Sequence, residues 1–249
     1  MNAAGLRRRI EIASRVGLGE EGEARAALED DFHHFRVWVR HRDGLVTATG
    51  AEAPRHPYTT CPLAAGRLEE LIGMPLIPAS GAVFRWTDAR LQCTHMLDLA
   101  GLAIAASARG DGRRRYDAEV PDRIGGHTSA RLLCDGQPAL AWDVHDDHIV
   151  APPPFDGLAL GTGFARWIQE NLAPDQAEAA LVLRRCVMIS RGRGVDLDAQ
   201  RNAEPLGRCF SQQPERAPSA LRVRHSTQDF SNTAGRLCQE DDAWINFCI

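Results

Sequence analysis

Three short segments carry the residues best suited to chemistry: Asp31-Phe32-His33-His34, Thr60-Cys61-Pro62 and Gln92-Cys93-Thr94-His95. A helical pattern follows each cysteine, and the histidine pair opens a strand pattern. A helix N-terminus favours thiolate over thiol, so both sulfurs are expected to be better nucleophiles and ligands than ordinary buried cysteines. Two thiolates and two imidazoles suit a tetrahedral ion. The expected metal ligands are therefore His33, Cys61, Cys93 and His95, holding a single zinc or iron ion in preference to an iron–sulfur cluster. His33 and His34 point to opposite faces if they lie in a strand, so His33 is assigned to the site and His34 is its reserve. Asp31 would share the face of His33 as orienter or general base. His95 falls in the first turn of its helix, where the positive helix end keeps the ring neutral, and Asp98 lies three residues on. Asp31, His34 and Asp98 are thus the expected proton-moving groups. Each choice has a plainer alternative: packed core for the thiols, a solvated strand end for His33, a charge run for Asp31 and an ordinary first-turn acid for Asp98.

Weaker patterns lie elsewhere. His127, His145 and His148, among Asp143, Asp146 and Asp147, read better as an exposed polar turn than as a second metal patch. The arginine runs 7–9 and 113–115 read as solvated strand edges before anion clamps. Gly161-Thr162-Gly163 opens a helix and is a weak anion-site signal. No glycine-rich nucleotide fingerprint, GxSxG elbow or HExxH motif is present.

All 29 basic residues are arginine, which removes lysine Schiff bases, phosphate-loop lysines and serine–lysine dyads. A net charge of −4 implies no bulk attraction to nucleic acid or anionic membrane. Seven widely spaced cysteines in 249 residues do not read as a disulfide scaffold. Residues 1–15 lack the apolar core of a signal peptide, and residues 96–108 are too short and too interrupted to span a bilayer. The expectation is a cytoplasmic protein with reduced thiols, a small-molecule substrate, no nucleic-acid or membrane partner, and a homodimer as the assembly to test.

The elements that must position these groups occur twice in the same order. Residues 7–12 read as a strand. A hairpin follows, from residues 35–40 through Arg42-Asp43-Gly44 to 45–48. Cys61 starts a helix with Pro62 at its first position and Gly73 at its end. Residues 94–109 read as a second helix. In the second half, residues 113–116, the hairpin 129–144 about Asp135-Gly136, a third strand at 148–150, and helices at 160–172 and 174–191 repeat the order. The reading is α+β: a degenerate duplication with antiparallel sheets and helices on one face. Residues 1–110 carry the site, 111–205 form the degenerate repeat, and 206–249 are an irregular wrapping tail.

The chain resembles a bacterial family of domain-of-unknown-function type. The resemblance rests on Asp30-Asp31-Phe32-His33-His34-Phe35, Tyr58-Thr59-Thr60-Cys61-Pro62, Cys93-Thr94-His95-Met96, residues 178–185 and Asp229-Phe230-Ser231. It spans nearly the whole chain and implies no activity. The first half is more distantly similar to the NifU/IscU iron–sulfur scaffold domain. Carried over by position, Cys61 and Cys93 match that domain's second and third cysteines, and Asp31 falls near its aspartate. Its first cysteine has no counterpart, Glu29 or His33 standing about there, and its histidine precedes the last cysteine whereas His95 follows Cys93. That resemblance implies an antiparallel sheet with helices on one face.

Two functions follow as expectations. The first is a metal-dependent lyase or hydrolase on a small hydrophobic or aromatic substrate, the metal polarising an oxygen or activating water. Trp38, Phe84 and Trp86 are candidate pocket walls. The second is a non-enzymatic iron–sulfur or sulfur-transfer scaffold.

Overall fold

The computed structural model describes residues 3–16 and 21–248. Eight strands form one antiparallel sheet in the order β4-β3-β2-β1-β5-β6-β7-β8. They are β1 (Gly5–Val16), β2 (Gly22–Asp30), β3 (His34–Arg42), β4 (Leu45–Arg55), β5 (Arg113–Pro121), β6 (His127–Cys134), β7 (Gln137–His145) and β8 (His148–Ala151). The helices are α1 (Val83–Trp86), α2 (Thr94–Arg109), α3 (Phe164–Asn171), α4 (Pro174–Ile189) and α5 (Asp242–Ile245). The protein is therefore α+β. Each half is a four-strand meander followed by helical segments. The two meanders join through β1 and β5, in register from Gly5↔Pro121 to Ala13↔Arg113. One sheet thus runs through both halves.

Strand β2 has no counterpart in the sequence reading. Its residues, Gly-Glu-Ala-Arg-Ala-Ala-Leu-Glu-Asp, are mostly helix formers without period-2 alternation. Burial on both faces explains this. Ala24, Ala26 and Leu28 join the core under the helices, while Ala27 packs with Ala13, Trp244 and Ile245 on the opposite face. A strand enclosed on both sides needs small residues rather than an apolar-polar alternation.

Helix α2 packs on β1, β2 and β3, and α4 takes the matching place on β5, β6 and β7. Gly110, at φ 71°, ends α2 in the left-handed conformation that glycine tolerates. The segment from Cys61 to Leu71 is a 3₁₀ helix rather than an α-helix, with Cys61, Ala64, Leu68 and Leu71 buried. The tail crosses the other face. Asp241 accepts both His34 Nε2, at 2.9 Å, and Arg36 Nε, while Ser231 Oγ accepts the Gly5 amide at 3.1 Å. No helix among the described residues is long and apolar enough to cross a membrane.

Helix α2 approaches the preceding loop closely at Gly101. A Cβ there would lie 2.3 Å from the Ser80 carbonyl oxygen, a backbone atom that cannot swing aside. Gly101→Ala is expected to cost about 1–3 kcal/mol by overpacking, despite alanine's better helix propensity. Urea denaturation checks this, and an unchanged midpoint would show that the loop yields.

Candidate functional site

The site begins at the end of β2, in a three-residue hairpin loop. Asp30 Oδ1 accepts the amides of Phe32, at 2.7 Å, and His33, at 2.8 Å. The Asp30 amide donates to the His33 carbonyl at 2.9 Å, closing the loop. His33 therefore lies in a loop and not in a strand, and its Nδ1 stands 3.1 Å from Asp30 Oδ1. Arg8 sits opposite Asp30 in the β1–β2 register. Its Nε donates to Asp30 Oδ2 at 2.8 Å and its Nη2 reaches the same oxygen. That Nη2 also lies 3.3 Å from Nε2 of His95, in the first turn of α2. The His33 and His95 rings are 4.0 Å apart between centroids.

Burial sets the charges. It opposes ionisation of Asp30, but Arg8 and then His33 outweigh it and hold the carboxyl well below its usual range. Burial lowers the pKa of His33, with Asp30 pulling the other way. Burial lowers His95 much further, and the charges of His33, Arg8 and Arg185 add to the effect. Both rings are thus neutral at pH 7, each with a nitrogen lone pair. Asp30, His33 and His95 each offer a ligand atom within 4.8 Å of the others, so the group could hold a metal ion. Arg8 already binds Oδ2 of Asp30 and faces Nε2 of His95.

Beside the imidazoles lies a cavity of about 630 Å³, lined among others by His33, His95, Cys61, Cys93, Tyr58 and Phe210. Residues 207–212 of the tail and Arg184, Arg185, Met188 and Ile189 at the end of α4 contribute walls. The tail is tied down there: the Phe210 amide donates to Gln92 O at 2.9 Å, and Thr60 Oγ1 donates to Ser211 Oγ at 2.9 Å.

The expected four-ligand centre is only half assembled. His33 and His95 come together, but Cys61 and Cys93 remain elsewhere on the cavity wall. Among the described residues, no sulfur belongs to a group of three donors within 4.8 Å of one another. Nor are the sulfurs activated. Burial pushes the Cys61 thiol up to about 11, against a 3.4 Å contact with Ser211 Oγ that favours thiolate. Burial pushes Cys93 higher still, the amides of Met96 and His95 offsetting only part of it. Desolvation outweighs the helix N-terminus at both positions.

The three expected proton carriers also lie apart from the imidazole pair. Because residues 31–33 form a loop, the strand-face rule that paired Asp31 with His33 does not apply. Asp31 turns to Arg193 and accepts the Phe230 amide at 3.2 Å. Burial raises its pKa to about 6 even so. His34 opens β3 and faces Asp241 on the tail side of the sheet. Asp98 is held by Arg185 Nε at 2.7 Å, on α4, instead of by His95. The aromatic wall differs as well: Trp38 packs with the tail cluster, Trp86 is half-exposed, and Phe84 lines a separate small cleft. The stacked pair His127 and His145, 4.1 Å between ring centroids, is exposed and joins no metal group among the described residues.

Asp30 and Arg8 are the residues of this group that sequence reasoning missed. Their signal existed, an acid beside the chosen histidine and a central arginine in a strand, but only the pairing of β1 with β2 joins them. Compared with protein-family models and with curated proteins, the chain matches none.

Two predictions follow from the buried charges. Asp30→Ala leaves the Arg8 cation unpaired in the core and should cost about 3–5 kcal/mol. Denaturation of this variant against Asp122→Ala, an exposed partner of Arg193, provides the comparison. The imidazoles give a pH dependence of fixed sign. The unfolded chain binds protons near 6.5 while the folded rings resist them, so stability falls as pH drops below 6.5. His95→Gln should lose less stability than the wild type between about pH 7.5 and about pH 5.5. Equal losses would mean that His95 is protonated in the folded protein.

Proposed function

We propose that the protein is an enzyme acting on a small organic molecule in this cavity, with His33 and His95 at the reacting end. The observation that carries the reading is the placement of two neutral, buried imidazoles on a cavity of substrate size, with the Asp30 carboxylate buried behind them. In the first form of the reading, a single zinc or iron ion sits on Asp30, His33 and His95. Three protein donors leave coordination positions open, which a catalytic centre needs and a closed four-ligand site lacks. Such an ion would polarise a substrate oxygen or activate water, the chemistry of a lyase or hydrolase. With no lysine in the chain, cleavage beside a carbonyl cannot use a lysine imine.

One observation favours a second form. Arg8 already supplies a cation to Asp30 Oδ2 and faces His95 Nε2. Asp30 would then orient His33 through Nδ1, leaving Nε2 of His33 as a general base with no ion needed. Here His33 removes or returns a proton, and Arg8, sealed from solvent behind it, keeps Asp30 ionised.

Metal stoichiometry after purification without chelators, and after adding zinc or ferrous iron anaerobically, separates the two forms. The first form expects about one ion per chain, lost in His33→Gln and in His95→Gln and kept in Cys61→Ser and Cys93→Ser. An ion that survives both histidine changes would place metal outside this group. No ion at saturating zinc or iron would leave the general-base form. Acid-labile sulfide lost in both cysteine variants would instead support the scaffold expectation and defeat both forms.

A further inference from the structure

The same cavity carries a charge pattern that neither form of the proposed chemistry uses. In a protein of net charge −4, four arginines line it: Arg90, Arg184, Arg185 and Arg208. No aspartate or glutamate does. Two of the four have acidic partners outside the cavity lining, Arg90 with Asp88 and Arg185 with Asp98. Arg184 and Arg208 have no carboxylate partner among the described residues.

Arg184 is the more informative of these. It projects from α4, and its guanidinium lies over the ring of Phe164, 5.5 Å from the centroid. Its Nε donates to Leu160 O at 2.6 Å and its Nη2 to Gly161 O at 3.3 Å. These bonds fix the guanidinium beside Gly161 and Thr162, which also line the cavity. Its Nη1 has no hydrogen-bond partner among the described residues. Burial, and then Arg185, lower its pKa to about 10 against a smaller opposing pull from Asp98, so it remains charged at neutral pH with no carboxylate in salt-bridge reach among the described residues. A partly desolvated, uncompensated guanidinium is costly unless another charge completes it. The fork geometry of arginine matches carboxylate and phosphate oxygens. Around these cations the walls turn apolar, with Phe210, Tyr58, Met188 and Ile189.

We propose that the cavity binds a small organic anion, its carboxylate or phosphate group on Arg184 and Arg208 and its apolar body against Phe210, Tyr58, Met188 and Ile189. The inference rests on the reading of this cavity as the substrate site and gives the class of that substrate. It does not depend on whether a metal is present.

Calorimetric titration tests it on the full chain with three probes: phenylacetate, phenyl phosphate and the neutral phenylacetamide. At least one anion should bind saturably and about tenfold or more tighter than the amide, as expected for a charge-assisted pair. The preferred anion tells carboxylate from phosphate. Arg184→Gln should weaken that anion by about tenfold and leave the amide unchanged. Arg184 also ties down the Leu160 and Gly161 carbonyls, so Arg208→Gln serves as a second variant. Arg208 is exposed and makes no hydrogen bond among the described residues, so its change should weaken the anion without unfolding the chain. Arg115→Gln, on β5 outside the cavity, should change nothing. Equal affinity for anion and amide, no binding of either anion, or wild-type affinity in both cavity variants would overturn the inference. Because binding is read without turnover, anion binding retained in His33→Gln alongside failure of the proposed chemistry would sink only the latter.

Discussion

A buried guanidinium–carboxylate pair, Arg8 with Asp30, holds the site half of this protein together. It joins β1 to β2 at opposed positions, with both side chains essentially sealed from solvent. Taking two charges out of water is costly, and the pair is tolerable only because nearly every donor and acceptor is matched. Asp30 does most of the matching. One oxygen receives Arg8, and the other receives the two amides that shape the loop carrying His33. The same Arg8 nitrogen then faces His95, which links the sheet to α2. Strand register, loop conformation and helix placement meet at one carboxylate.

Consecutive acids serve opposite sides of this arrangement. Asp30 turns into the core, whereas Asp31 turns to Arg193 and to the backbone of the tail. The tail in turn reaches both faces of the sheet. Around Phe210 and Ser211 it closes the cavity beside α2, and at Trp244 and Ile245 it buries the opposite face of β1 and β2. The cavity is consequently built from both halves and the tail.

Solvent exclusion decides which groups in this cavity are chemically ready. The imidazoles lose their protons, which frees a lone pair to accept a proton or bind an ion, while the thiols keep theirs and become poorer nucleophiles. One physical effect works in opposite directions because it always disfavours the charged form, which is the acid form of histidine and the base form of cysteine. The arginines remain charged throughout, so the cavity presents neutral bases at one place and cations at another, two of them without a salt-bridged carboxylate among the described residues.

The local patterns of the chain fixed much of the framework. The α2 helix with its glycine stop, the hairpins about Asp43-Gly44 and Asp135-Gly136, the repeated order of elements and the α+β class were all legible, because periodicity and turn chemistry are local. His33 and His95 were legible as partners in type, and they are partners in space. Strand β2 was not legible, since its composition answers to burial on both faces rather than to strand propensity. Without β2, the facing of Arg8 and Asp30 could not be seen, and Asp31 took the place that belongs to Asp30. The protonation states were equally hidden. A helix start raises an expectation of thiolate from sequence, but only the packed structure reveals how completely water is excluded from Cys61 and Cys93. Residue types near a site are written in order along the chain, whereas charge, desolvation and which carboxylate meets which base depend on contacts between residues far apart in it.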